Sequence, residues 1–303
     1  STYNLAGELI SSQQSGSGVP TTTTTYKYDK LGQLRMVTDP LGNKTYYLYD
    51  NVGRKIASIA ADGSMVEYAY DAGDRLTTTI SYLNKLTTTQ LNSLVDVNGN
   101  PANVTLASVR PTTNAADIWT WRIYDTANRL IETIDGDGDA VVYAYDGASN
   151  LISTIAYANA LSSGTVSGFK TTAPTTLQIP TLDASRDEVT RNFYDADNRL
   201  VAVLNGAGYL SQVVYNPAGE KTETIVFANQ VDASLRAGGT LAQLLTNVGT
   251  SSNDRHTRNF YDDRGLLRYT LDPMLVPVEN DYDNMGNLTG TTAYAGSINS
   301  TST

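Results

Sequence analysis

Glu67-Tyr-Ala-Tyr-Asp71-Ala-Gly-Asp-Arg-Leu-Thr-Thr-Thr-Ile80 is the stretch from which the rest of the chain can be read. Tyr68 and Tyr70 alternate, Asp71 opens a turn, Asp74 tolerates a positive φ, and a second alternating run follows, which together spell a β-hairpin. The same pattern recurs along the chain. With the turn-opening residue in register there are ten anchors, Asn4, Asp29, Asp50, Asp71, Asp125, Asp146, Asp195, Asn216, Asp262 and Asp283, each directly after a Tyr. The gaps Asp29–Asp50, Asp50–Asp71, Asp125–Asp146, Asp195–Asn216 and Asp262–Asp283 are all 21 residues. A fixed gap of this size marks stacked supersecondary units rather than one irregular core.

Three places after the anchors stand Gly7, Gly32, Gly53, Asp74, Asn128, Ser149, Asn198, Gly219, Gly265 and Gly286, nearly all types that enter the left-handed region cheaply. The expected turn is therefore type I closed by a left-handed residue, with the anchor side chain accepting from the backbone two residues on. Five places after the anchor come Leu34, Leu76, Leu130 and their counterparts, and nine places after come Ile59, Ile80, Ile134, Leu204 and others. Positions five, seven and nine share one strand face, so an aliphatic face is expected, opposite one carrying Arg75, Thr77 and Thr79. The chain has 20 Tyr against 4 Phe, which fits half-exposed sheet faces where a ring packs and its hydroxyl stays wet.

A longer period lies over the short one. Tyr82-Leu-Asn-Lys-Leu86 is echoed by Tyr157-Ala-Asn-Ala-Leu161, Phe227-Ala-Asn-Gln-Val231 and Tyr294-Ala-Gly-Ser-Ile298, and each opens an insert. The expected organisation is a single array over 1–303, with a partial repeat and linker at 1–25 and three repeats at 26–82. Inserts at 83–120, 159–189 and 229–256 alternate with repeat pairs at 121–158, 190–228 and 257–295, and 296–303 starts a further insert. Ser11–Thr25 reads as a flexible connector, Thr87–Val95 as a short helix, and Ser234–Thr246 as the best helical stretch despite Gly238-Gly239. Asp272-Pro-Met-Leu275 departs from the Gly-bearing second turns and is expected to be distorted. The pattern is already running at Tyr3 and still running at the end, so a window of a longer protein is expected.

A net charge of −10 argues against nucleic acid and against an anionic membrane surface. No apolar run is long enough to span a bilayer. With no cysteine there is no disulfide framework, thiol chemistry or cysteine-based zinc site.

These residues resemble the RHS/YD-repeat family, whose pattern is roughly Tyr-x-Tyr-Asp-x-x-Gly-Arg-Leu followed by Asp-x-x-Gly and a further Tyr-x-Tyr-Asp. The segments from Asp29 to Asp50 and from Asp50 to Asp71 fit it closely, and the resemblance covers everything but the inserts. It implies an all-β fold of tandem hairpins forming a spiralling sheet, a segment of a hollow shell, with short helices in the inserts. In bacterial polymorphic toxins and toxin complexes such a shell encloses a C-terminal toxic domain; in teneurins a similar shell serves adhesion. The toxin shells end in a core with an aspartyl self-cleavage site. Asp39-Pro-Leu-Gly42 resembles part of that site but runs straight into another repeat, and is read as a turn.

The chemistry-bearing residues are sparse. His256 is the only histidine, which disfavours a catalytic triad or a histidine metal cluster and reads as a surface-loop residue. Asp135-Gly-Asp-Gly-Asp139 resembles a calcium loop, with Asp135, Asp137 and Asp139 as the oxygen ligands. Ala140 stands where that loop needs Gly, and a strand rather than a helix follows, so a turn is the preferred reading. Arg54, Arg75, Arg129 and Arg199 form a ladder, expected to pair with acidic neighbours across the sheet; a glycan-binding stripe is the sharper alternative. Trp119 and Trp121 start a strand and are expected to pack under an insert.

The expected function follows: a non-catalytic structural segment of a secreted or cell-surface bacterial RHS protein, without cofactor, enclosing a toxin or other cargo. The alternative is an extracellular fibre or adhesin whose inserts bind glycans or protein partners.

Overall fold

The computed structural model describes residues 1–16, 19–183 and 185–298. It is nearly all β and divides into two compact units, Ser1–Ala140 with Ala160–Pro180, and Val141–Asn159 with Thr181–Thr303.

Unit 1 is a meander of β1 (Thr2–Tyr3), β2 (Leu9–Gly16), β3 (Val19–Tyr28), β4 (Leu34–Thr38), β5 (Lys44–Tyr49), β6 (Lys55–Ile59), β7 (Met65–Tyr70), β8 (Leu76–Ser81), β9 (Ile118–Tyr124) and β10 (Leu130–Asp135). Each strand pairs antiparallel with the next. The first insert carries α1 (Thr88–Ser93) and α2 (Leu106–Val109), and α3 (Ser163–Phe169) also belongs to this unit. Although the first insert separates β8 from β9 in sequence, the two strands are direct neighbours, with Thr78 opposite Trp121 and Ile80 opposite Trp119.

Unit 2 repeats the plan with β11 (Ala140–Tyr145), β12 (Leu151–Ala156), β13 (Glu188–Tyr194), β14 (Leu200–Leu204), β15 (Tyr209–Tyr215), β16 (Lys221–Gln230), β17 (Arg255–Tyr261), β18 (Leu267–Leu271), β19 (Pro277–Tyr282) and β20 (Leu288–Ala293). These strands also pair in chain order. α4 (Ala233–Arg236) and α5 (Leu241–Val248) lie in the insert between β16 and β17.

The two-residue period of the strands sorts the side chains. Positions seven and nine after the anchor are buried at Met36, Ala57, Ile59, Ile134, Ala202 and Leu204, but only half-buried at Ser153, Ile155, Glu223 and Ile225 and exposed at Tyr269. Position five is only half-buried, because the left-handed turn residue beside it shifts the strand register, as between Lys27 and Tyr28 where they face Met36 and Leu34.

Three local expectations need correction. Ser11–Thr25 is not a flexible connector: apart from Ser17 and Gly18, which lie outside the described residues, it forms β2 and the start of β3, with Ser11 opposite Thr25 and Gln13 opposite Thr23. Its Thr run is β-branched and suits a pleated strand better than a loop. The expected helix over Ser234–Thr246 is two helices, broken at Gly238-Gly239, where Thr240 caps the second. A Cβ on Gly239 would lie 2.7 Å from the Leu235 carbonyl oxygen, so the break needs glycine there. The Asp272 turn is not distorted: its backbone bonds, Asp272 N–H to Val276 O and Leu275 N–H to Asp272 O, match those of the other turns. The cost falls instead on Leu275, held at φ 60° without the freedom of glycine. The final residues of the expected 296–303 segment, Asn299–Thr303, lie outside the described residues.

Candidate functional site

The recurring chemistry of the chain sits at the turns. All ten anchors accept, through Oδ1, the backbone N–H two residues on, as expected. All ten residues three places on have positive φ, from 59° at Asn198 to 92° at Gly53. At eight anchors the other oxygen or amide pairs with the side chain four places on, and the two positions are complementary, whereas Asp29 Oδ2 faces Arg35 and Asp262 Oδ2 faces Arg264. Asp50, Asp71, Asp125 and Asp195 take Arg54, Arg75, Arg129 and Arg199. Asp146 and Asp283 take Asn150 and Asn287, whereas Asn4 and Asn216 donate to Glu8 and Glu220. The backbone N–H of Arg129 leads in holding the Asp125 carboxyl below its ordinary range, and that of Arg199 does the same for Asp195.

The Arg ladder thus pairs mainly within its own turn rather than across the sheet. Its second reach is to the next turn. Arg54 Nη1 donates to Asp71 O and Asp74 Oδ1, and Arg75 Nη1 donates to Asp125 O and Asn128 Oδ1 across the base of the first insert. The guanidinium of Arg54 stacks over Tyr70, that of Arg75 over Tyr124 and that of Arg199 over Tyr215, at 5.0, 5.1 and 4.8 Å. In Arg54, Arg75 and Arg199 the charged edge and the planar face are thus both engaged.

The Tyr before each anchor completes the link. The hydroxyls of Tyr28, Tyr49, Tyr70 and Tyr124 donate to the carbonyls of Leu9, Leu34, Lys55 and Leu76, each the first residue of the second strand of the preceding repeat. Tyr194, Tyr215, Tyr261 and Tyr282 do the same in unit 2. The β4–β5 ladder starts only at Met36, so the Leu34 carbonyl lies outside it and the Tyr hydroxyl supplies its partner. These hydroxyls are not merely wet, as the sequence suggested. They bond repeat to repeat, a task Phe cannot perform.

The inserts are fastened by a second recurring set. Leu86 N–H donates to Gly63 O, Leu161 to Gly138 O, Val231 to Gly208 O and Ile298 to Leu275 O, so each insert docks on the left-handed residue of the second turn. Helix caps follow at once in Thr87 and Ser162, whose side chains accept from the third helical N–H. At the base, Asp117, Asp187 and Asp254 accept the N–H groups of Leu83, Ala158 and Ala228 through Oδ1, and those of Asn114, Asp183 and Ser251 through Oδ2. Asn84, Asn159 and Asn229 close the same bases by donating to Thr112, Thr181 and Val248 carbonyls. The sequence reading missed the three aspartates. Their signal was present, since each stands eight residues before an anchor.

Beneath the inserts lie the buried carboxylates. Glu67, 8% exposed, receives a bidentate Arg110 and the Tyr82 hydroxyl, all within 2.8 Å. Burial, with the bond to Glu67, raises the Tyr82 phenol. Glu132 is fully buried, accepts only the Gln178 N–H at 2.8 Å through Oε2, and is pushed up to about 7 by burial. Trp121 stacks on Trp119 and meets Phe169 edge-on, so the two Trp do pack under an insert segment.

His256 is not a loop residue but lies in β17, opposite Ile225, with Nδ1 2.9 Å from Glu223 Oε1, which also accepts from Arg258. Asp135 spends Oδ1 on the N–H groups of Asp137 and Asp139, in a turn like the others. Among the described residues no group of three or more His, Asp or Glu side chains converges as metal ligands. No helix among them is long and apolar enough to cross a membrane.

The RHS Repeat family profile matches residues 28–65 and 124–160. No curated protein sequence matches the chain. Among solved structures, the TcdB2-TccC3-Cdc42 crystal structure is similar over 97% of this chain and 17% of that chain, with 15% identity and a TM-score of 0.39. TcdB2-TccC3 without its hypervariable C-terminal region gives 97%, 16%, 14% and 0.39 in the same order. A Photorhabdus luminescens Tc holotoxin pore is similar over 96% of this chain and 16% of that chain, with 15% identity and a TM-score of 0.36. The chain thus spans about a sixth of the length of these structures. The matched segments contain the anchors Asp29, Asp50, Asp125 and Asp146, the clasping Tyr28, Tyr49 and Tyr124, and Arg54 and Arg129, and in these two segments the chain is similar to the RHS Repeat family.

Proposed function

We propose that the chain is a non-catalytic wall segment of a secreted or surface-displayed bacterial RHS protein, and that the wall encloses a cargo, in the first instance a toxic domain. The observation that carries this reading is the clasp between successive turns. Tyr hydroxyls tie repeat to repeat along both units, joined at Arg54 and Arg75 by a guanidinium, which suits a continuous barrier better than a surface for turnover. The principal carboxylates are committed to turns, ion pairs and insert bases, and among the described residues no three His, Asp or Glu side chains converge as metal ligands. The RHS repeat match supports a structural role. The partners on this reading are neighbouring repeats and the enclosed cargo.

Single-particle electron microscopy of the intact parent protein tests it. A closed wall with density inside is the expected result. A long regular fibre without a cavity would overturn containment and make adhesion through the inserts the working function.

A further inference from the structure

One junction between repeat pairs holds an ion pair, and the junction before it holds only half of one. Arg258 of β17 faces Glu223 of β16, and its Nε donates to Glu223 Oε1 at 2.9 Å. Arg191 of β13 stands in the same Thr-Arg-Asn-Phe-Tyr-Asp run, but the residue opposite it is Ser153 of β12. Ser153 and Glu223 are equivalent, each seven places after its anchor. The earlier junction thus has the guanidinium without the carboxylate.

Both hydrogens of Arg191 Nη1 go to carbonyls, those of Arg236 and Gly239, at 3.1 and 2.9 Å. The guanidinium lies over the Phe193 ring, 4.9 Å from its centre. Its remaining edge, Nε with Nη2, is the side-on fork that fits a carboxylate, and it bonds no described residue. Arg236 spends Nε on the Val231 carbonyl at 2.8 Å, and its Nη1 and Nη2 bond no described residue. Neither arginine has an ion pair among the described residues. Burial lowers the Arg191 guanidinium from its ordinary value, with no carboxylate acting the other way.

Both arginines line a cavity of about 800 Å³ within unit 2, where Ile155, Val189 and Phe193 supply apolar wall from the strands. α5 is seated on Leu204, Leu210 and Phe227 through Leu244 and Val248, and Leu241, packed against that seat, adds wall from the insert. The aspartates in the lining are committed. Asp187 holds the N–H groups of Ala158 and Asp183, and Asp146 holds those of Ala148 and Asn150. A half-buried cation beside apolar walls is stabilised by a counter-ion, and the cavity falls in the size range of small-ligand sites.

We propose that this cavity binds a small amphipathic carboxylate. The head takes the place on Arg191 that Glu223 holds on Arg258, with Arg236 as the second positive charge. The aliphatic tail lies along Ile155, Val189 and Leu241. The pair at Arg258 sets the class of the head group, and the apolar walls set the tail.

Octanoate titrated onto the full chain by isothermal calorimetry tests this, with octanol as the neutral ligand of equal tail. One saturable octanoate site is expected, and octanol should bind about tenfold weaker or not at all. Ser153→Glu supplies the carboxylate from within the chain, so it should raise the melting temperature and weaken octanoate binding about tenfold. No octanoate binding, equal binding of the two ligands, or undiminished octanoate binding by Ser153→Glu would overturn the proposal. Should Ser153→Glu fail to fold, Arg236→Gln takes its place. Octanoate affinity should then fall several-fold, and an unchanged affinity overturns the assignment.

Discussion

Asp195 divides its carboxylate between two tasks. Oδ1 accepts the N–H groups of Asp197 and Arg199 and so shapes the turn, while Oδ2 holds the Arg199 guanidinium. An Asn at this position keeps the first task and loses the second, which is the arrangement at Asn216, where the amide donates to Glu220 instead. Asp195→Asn should therefore lower the urea midpoint, and Arg199→Glu should lower it further by setting two carboxylates face to face. The double variant should recover part of the loss by recreating the Asn–Glu pair. Full recovery is not expected, because the stacking of Arg199 over Tyr215 is gone. Additive losses in the double variant would contradict the complementarity.

Glu132 makes the opposite kind of prediction. Its folded-state pKa is raised to about 7, so between the ordinary carboxyl value and about 7 the folded protein holds a proton that the unfolded chain has released. Stability should fall as pH rises through that window and level off above it, by about 1–3 kcal/mol in all. In Glu132→Gln this part of the slope should vanish, and chemical denaturation at a series of pH values reads it directly.

At the scale of elements, the inserts are tethered excursions between strands that are already neighbours. Asp254 joins both ends of the third insert through two backbone N–H groups. Asp254→Ala should leave the strand signal in circular dichroism intact and make the 229–256 segment the first site cut by protease. Unchanged cleavage would show that the α5 seat alone holds the insert. The turns, the strands and the shared face of the seventh and ninth positions were legible in the sequence because each depends on local backbone preference repeated along the chain. The Tyr clasps and the aspartate staples were not read, since each reaches a partner 15 or more residues away that only register in the folded sheet brings near. Ser11–Thr25 misled for a related reason: Ser, Gly and Thr suggest a loop until a paired strand gives the β-branched Thr run a use.

For the whole molecule, periodicity sets what can be removed. Deleting Lys30–Asp50 takes out 21 residues and rejoins Asp29 to the turn that ends in Gly53 and Arg54. The strands that remain keep their faces, at the cost of the Arg35 bond to the Ala102 carbonyl of the first insert. This variant should still melt cooperatively, at a lower temperature. Deleting Lys30–Tyr49, one residue fewer, shifts the phase and should abolish the cooperative transition.

The pairing of every strand with its successor within each unit also bears on how the chain is made. Such a meander closes only short loops, and even the inserts are cinched at their bases, so relative contact order is low for a β protein. The first hairpins can form while later ones are still inside the ribosome, and each finished repeat then templates the next. Stalled nascent chains of increasing length should therefore gain protease resistance in steps of one repeat, well before synthesis ends.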